Sequence, residues 1–158
     1  MHTGIDPGLK STGIVTLDNS GMVLYQTQFG TNENDILKSA VHENMPIRYK
    51  LYRDKLVEYL TTYNITGTVV IEEAMGDITG NGRKLLGLIA IYQLTLTDYF
   101  EEHKIFCPKA TQIKKAFIHG AATKEEMIDE CKRRGFYTES DHKADAYAMS
   151  CMSFEGKL

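Results

Sequence analysis

The stretch Gly4-Ile5-Asp6-Pro7-Gly8, with the alternating run Thr12-Gly13-Ile14-Val15-Thr16-Leu17 behind it, restricts this chain more than any other feature. It reads as an apolar strand that delivers one carboxylate, Asp6, to a point where proline and glycine bend the backbone. A carboxylate there either satisfies a turn or holds a hard cation. Asp18-Asn19-Ser20-Gly21 then separates two alternating runs, Ile14 to Leu17 and Met22 to Tyr25, so a hairpin is expected, with a loop longer than the two-residue kind.

A second strand signal is Thr68-Val69-Val70-Ile71, a β-branched run suited to a buried parallel strand, and it ends in Glu72-Glu73. In open α/β sheets ligands collect at the carboxyl ends of the strands, which is where both Asp6 and this acidic pair fall. Side chains alternate, so only one of Glu72 and Glu73 can face a shared site; spacing alone leaves the choice open.

Helices account for much of the remainder. From Met45 the apolar residues Tyr49, Tyr52, Leu56, Leu60 and Tyr63 recur every three or four positions, giving about four turns with one buried stripe. The charged residues Arg48, Lys50, Arg53, Asp54 and Lys55 read as its solvated face. Polar Thr31 to Asp35 and glycine-rich Met75 to Gly82 read as loops. Arg83 to Glu102 has an apolar face broad enough for a central helix or one shared with a second subunit, and His103 to Cys107 reads as a short strand stopped by Pro108. Thr123-Lys124-Glu125-Glu126 is a capping box opening a helix that ends at Arg133-Arg134-Gly135. The last helix begins at Ser140, and Asp141 and His142 in its first turn both adjoin Asp145. Ala144, Ala146 and Ala148 would let it lie close to a sheet.

Composition narrows the class. At 158 residues, with 42% hydrophobic and 25% charged residues, one globular domain over 1–158 is expected. The longest apolar stretch, Leu85 to Leu96, is too short to cross a bilayer, and the first residues lack the features of a signal peptide, so a cytoplasmic setting is expected. Cys107, Cys131 and Cys151 fit no zinc ribbon or disulfide framework. A net charge of −3 argues against coating nucleic acid with bulk positive charge, but distribution outweighs the sum. From His103 to Ala122 the charges are one-sided: Lys104, Lys109, Lys114 and Lys115 occur with no acid, and Lys124 follows at a helix start, which suits phosphate.

Asp6, Glu72-Glu73 and Asp141-His142-Asp145 thus form three acidic clusters. Convergence of so many carboxylates requires a cation, and an oxygen-rich set selects magnesium or manganese. Two such ions would suit phosphodiester hydrolysis.

The pattern Gly4-Ile5-Asp6-Pro7-Gly8, Thr12-Gly13, Val70-Ile71-Glu72-Glu73, Thr111-Gln112-Ile113-Lys114-Lys115, Gly120, Lys124 and His142-x-x-Asp145-Ala146 resembles the RuvC family of Holliday-junction resolvases over nearly the whole chain. Its size is most similar to that of bacteriophage-type members. The resemblance implies an α/β, RNase H-like fold: a five-stranded mixed sheet flanked by helices on both faces. It also implies a homodimer in the bacterial cytoplasm that nicks a four-way junction symmetrically, with any helicase partner undetermined. The implied metal ligands are Asp6, Glu72, His142 and Asp145, with Asp141 in reserve, holding two Mg2+ ions for which Mn2+ substitutes. Lys114 and Lys124 are the implied DNA-binding positions, and Met75 stands where many relatives carry an aromatic wedge. Two other readings stand beside this one: an RNase H-like nuclease for structured RNA or hybrids, and a junction-binding protein that does not cut. The opening motif also resembles the phosphate loop of actin-like sugar kinases, which need two such domains.

Overall fold

The structure, a computed structural model, describes residues 1–31, 44–73 and 81–158. Its centre is a five-stranded sheet of β1 (His2–Asp6), β2 (Thr12–Leu17), β3 (Val23–Phe29), β4 (Thr68–Ile71) and β5 (Ile105–Phe106), in the order β3-β2-β1-β4-β5. β1, β2 and β3 form an antiparallel meander, while β4 and β5 join β1 in parallel, so the sheet is mixed. β1 and β4 run side by side with Gly4 beside Val70 and Ile5 beside Ile71. Their carboxyl ends, and with them Asp6 and Glu72, therefore emerge at one edge of the sheet.

Helices cover both faces. The described helices are α1 (Met45–Thr62), α2 (Asn81–Thr97), α3 (Ala110–Phe117), α4 (Lys124–Arg133) and α5 (Asp141–Phe154), with a 3-10 turn at Glu102–Lys104. Strand alternation sorts the core into two layers. Ile5, Ile14, Val69 and Ile71 pack with Tyr52 and Leu56 of α1 and Leu88, Tyr92 and Leu96 of α2. Val15, Leu17 and Val70 pack on the opposite side with Ile113, Phe117, Met127 and the alanines of α5. Thr16 is paired inside the core: its Oγ1 lies 2.9 Å from the hydroxyls of both Thr3 and Tyr59.

α5 sits unusually close to the sheet because glycines make room for it. A β-carbon on Gly4 would lie 2.0 Å from the Ala146 carbonyl oxygen, and one on Gly13 would lie 2.3 Å from that of His142. Gly13 pairs directly with Asp6 across β1 and β2. Two backbone contacts thus seat the first two turns of α5 over the strand end that carries Asp6.

Most expected elements are present, with two corrections. The helix expected over Arg83 to Glu102 starts at Asn81 and ends at Thr97, so Asn81 and Gly82 are helical and not loop. The strand expected from His103 is only Ile105–Phe106, because Glu102–Lys104 forms a 3-10 turn. The basic segment between Pro108 and Gly120 is built around a separate helix, α3. Met75 and most of the two expected loops lie outside the described residues.

Candidate active site

Strand period decides which acids face each other. Asp6 shares the parity of Gly4, whose open space is filled by α5, and Glu72 continues the parity of Val70, which packs on the α5 side. Glu73 shares the parity of Ile71 and the opposite layer. Its amide donates to the Pro108 carbonyl at 2.8 Å, while its carboxylate lies in the field of Cys107. Glu72, and not Glu73, thus faces the layer that holds Asp6 and α5.

α5 delivers two more groups. Ser140 caps it, accepting from the Lys143 amide at 3.3 Å, and this fixes the first turn. His142 Nδ1 then lies 2.5 Å from Asp6 Oδ2. That bond to Asp6 raises the pKa of His142 despite its partial burial. Asp6 itself is only 8% exposed, and burial pushes its carboxyl upward against the favourable bond to His142. One turn on, Asp145 is pushed up to about 6 by burial and then by the charge of Asp6. Burial and the charges of Asp6 and Asp145 push Glu72 up to about 7. Asp6, Glu72 and Asp145 thus interact electrostatically as one group. Among the described residues, no three acidic, histidine or cysteine side chains close around a common point in the way that a ready-made cation cage would.

Two lysines border the acids. Lys114 on α3 donates to the Ala122 carbonyl at 2.8 Å, and its charge lowers the pKa of both Glu72 and Asp145. Lys124, the first residue of α4, forms an ion pair with Asp141. Asp141 also accepts from the His142 amide at 3.0 Å, and its carboxyl is held low first by Lys124. Asp141 thus faces a lysine, while His142 faces the acids. Nothing in the sequence pattern marks that pairing, because it joins two helix starts 17 residues apart.

A mixed sheet in this order, helices on both faces, and acids at the ends of β1 and β4 opposite a C-terminal helix define the RNase H-like fold. Within that class the likeness is to RuvC. The RuvC structure from Thermus thermophilus superimposes with a TM-score of 0.72 at 21% identity, covering 98% of this chain and 94% of that one. T. thermophilus RuvC in complex with Holliday junction substrate gives 0.71 at 20% identity, over 99% and 96%. In sequence, the crossover junction endodeoxyribonuclease RuvC of Methylobacillus flagellatus is 27% identical over 139 residues, covering 82% of this chain and 72% of that protein. No family model matches the chain.

Proposed function

We propose that this protein is a structure-selective DNA endonuclease that resolves four-way junctions by metal-dependent phosphodiester hydrolysis. The observation that carries the reading is the gathering of Asp6, Glu72 and Asp145, three carboxylates from two strand ends and one helix, where the charge of Asp6 raises the pKa of both the others beside Lys114. Likeness in sequence to a RuvC nuclease and in fold to a RuvC seen with junction DNA supports the substrate class.

The donor set fits a hard divalent cation. Carboxylates crowded at a partly buried strand end resist ionising together, and a cation removes that penalty. Asp6, Glu72, His142 and Asp145 would hold the metal, Mg2+ or Mn2+, with two ions suiting three carboxylates and one imidazole. When bound, such ions neutralise charge on the transferring phosphate and acidify the attacking water.

The chain's own groups supply the rest. Asp6 orients the His142 ring through Nδ1, leaving Nε2 as the nitrogen directed to a cation or to water. Lys114, tethered to Ala122, brings fixed positive charge beside the acids and suits the phosphate's outer oxygens. Lys124 is 72% exposed and within the field of Asp6 and Asp145, so it reaches the strand only by leaving Asp141. Residues 1–158 act as one nuclease domain in this reading, and a homodimer would match the two-fold symmetry of the junction. A bacterial cytoplasm is the setting that goes with this substrate; among the described residues no helix is long and apolar enough to cross a membrane.

The test uses synthetic four-way DNA, linear duplex, DNA–RNA hybrid and structured RNA, each with Mg2+. Symmetric cleavage of the junction alone, lost in Asp6→Asn while junction binding persists, is the expected result. Cleavage of RNA or hybrid in preference would move the substrate class, and binding without cutting in either metal would remove the enzymatic reading.

A further inference from the structure

A cavity of about 540 Å³ has Gly8 and His142, the histidine bonded to Asp6, in its wall. Three cations from three separate elements line it: Lys10 from the β1–β2 turn, Arg48 from α1 and Lys84 from α2. Among the described residues that line it, none is acidic. In a chain of net charge −3, three cations gathered without a counter-charge are not accounted for by an even surface distribution.

Arg48 adds an independent sign. Its Nε is buried and has no hydrogen-bond partner, the one such side-chain nitrogen or oxygen among the described residues. Among the described residues, its Nη1 contacts the Met45 sulfur at 3.7 Å. A buried guanidinium donor left unmatched is costly unless an acceptor arrives.

The cavity's walls are fixed to one another. The Tyr52 hydroxyl donates to the Leu9 carbonyl, holding α1 against the turn that carries Lys10. The Tyr49 hydroxyl donates to the Lys84 carbonyl at 2.9 Å, holding α1 against α2. That second contact needs the absence of a side chain at Gly87, where a β-carbon would lie 2.3 Å from the tyrosine oxygen. Arg48 and Lys84 are thus brought to one cavity by packing and not by sequence proximity.

We propose that Lys10, Arg48 and Lys84 form a phosphodiester subsite that holds the backbone phosphate next to the scissile one. This rests on the nuclease reading of the acids. Each DNA strand carries one charge per ~3.4 Å of rise, so a strand with one phosphate at the acids must carry its next phosphate past them. The carboxylates repel that neighbour, and the cations across His142 offset the repulsion. The solvated face expected for Arg48 is therefore corrected: this one residue turns from that face into the cavity.

The test compares wild type with Lys10→Gln/Lys84→Gln, both exposed positions, and with Arg48→Lys, which keeps the charge but removes Nε. Four-way DNA binding is measured across a salt series with Ca2+ in place of Mg2+, and Lys132→Gln serves as a distant charge control. The double variant is expected to weaken binding about tenfold near 0.1 M salt and to lower the slope of log affinity against log salt by about 1. Arg48→Lys should weaken binding while leaving that slope nearly unchanged. A double variant that matches Lys132→Gln in slope and affinity overturns the subsite. If wild type binds no branched DNA, the nuclease reading falls, and a dithymidine monophosphate titration followed by amide shifts decides the cavity separately. Shifts at Leu9, Lys10 and Leu85 that vanish in the double variant support it, and their absence in wild type overturns it.

Discussion

His142 and Asp6, 136 positions apart in sequence, share a hydrogen bond of 2.5 Å between Nδ1 and Oδ2. The bond ties the first turn of α5 to the end of β1, and it raises the histidine's pKa. In chelator, the His142 ring should titrate above the ordinary histidine value, and Asp6→Asn should bring it down. A raised histidine contributes stability that is fully present below its unfolded value of about 6.5 and is lost as pH rises through the folded one. Ring-proton NMR titration of the two proteins checks the direction; an unchanged midpoint in Asp6→Asn would show that the bond is not formed in solution.

Glu72 and Asp145 also lose stability as pH rises, but here through a cost that appears and not through a bond that is lost. Each is an acid pushed up, to about 7 and about 6, so ionising them opposes folding when no cation is present. That cost is absent below pH ~4, grows as pH rises through the folded values, and is complete above them. In chelator at pH 8, Glu72→Gln and Asp145→Asn should each raise stability by about 1–2 kcal/mol, a discounted conversion of these shifts. Both should abolish cleavage with metal. Thermal unfolding at pH 4 and pH 8 measures it: the gain should be confined to the higher pH. A loss of stability at pH 8 would mean that these carboxylates are already satisfied.

The seat of α5 makes a steric prediction. Gly4→Ala drives a methyl into the Ala146 carbonyl, and Gly13→Ala drives one into that of His142. Neither backbone atom has a rotamer with which to yield, so each variant should lose at least about 3 kcal/mol, the upper range of overpacking. Where Gly13→Ala folds, α5 must lift at His142, and cleavage should fall further than stability does. Denaturant unfolding and cleavage rates on the same preparation separate the two effects.

Local rules carried much of this fold. The β2–β3 hairpin, the buried β4 run and the stripe of α1 follow from alternation and spacing, and the Thr123–Glu126 capping box forms with both its bonds, at 3.2 and 2.7 Å. The acids at strand ends were legible for the same reason, since a strand's parity is written in its sequence. The end of α2 at Thr97 was not, because the apolar residues continue past it to Phe100, which stays in the same core layer without being helical. Tertiary pairings were hidden as well. Spacing could not join Lys124 to Asp141, nor turn Arg48 away from its charged neighbours toward Lys10, because packing between separate elements makes those contacts.

Arg134 is a further contact of that kind, and it holds together the helices that position Lys114 and Lys124. Standing at the end of α4, it bonds Glu130 at 2.7 Å, Glu155 beyond α5 at 2.5 Å and the Phe117 carbonyl of α3 at 3.1 Å, with its guanidinium 4.4 Å from the Phe117 ring centre. Glu130 accepts from Arg133 as well, and Arg133 first, then Arg134, holds its carboxyl down to about 2. For a depressed acid the contribution is present above the unfolded value of ~4.3 and is lost as pH falls through the folded one. Glu130→Gln should therefore cost about 1–2 kcal/mol at pH 7, allowing for solvent screening, and only a small part of that near pH 2. Arg134→Ala leaves two partly buried carboxylates without their shared partner and should cost more, about 3 kcal/mol. Urea unfolding between pH 2 and pH 7 reads both. Parallel curves for wild type and Glu130→Gln over that range would show that the network adds nothing to the seat of α3 and α4.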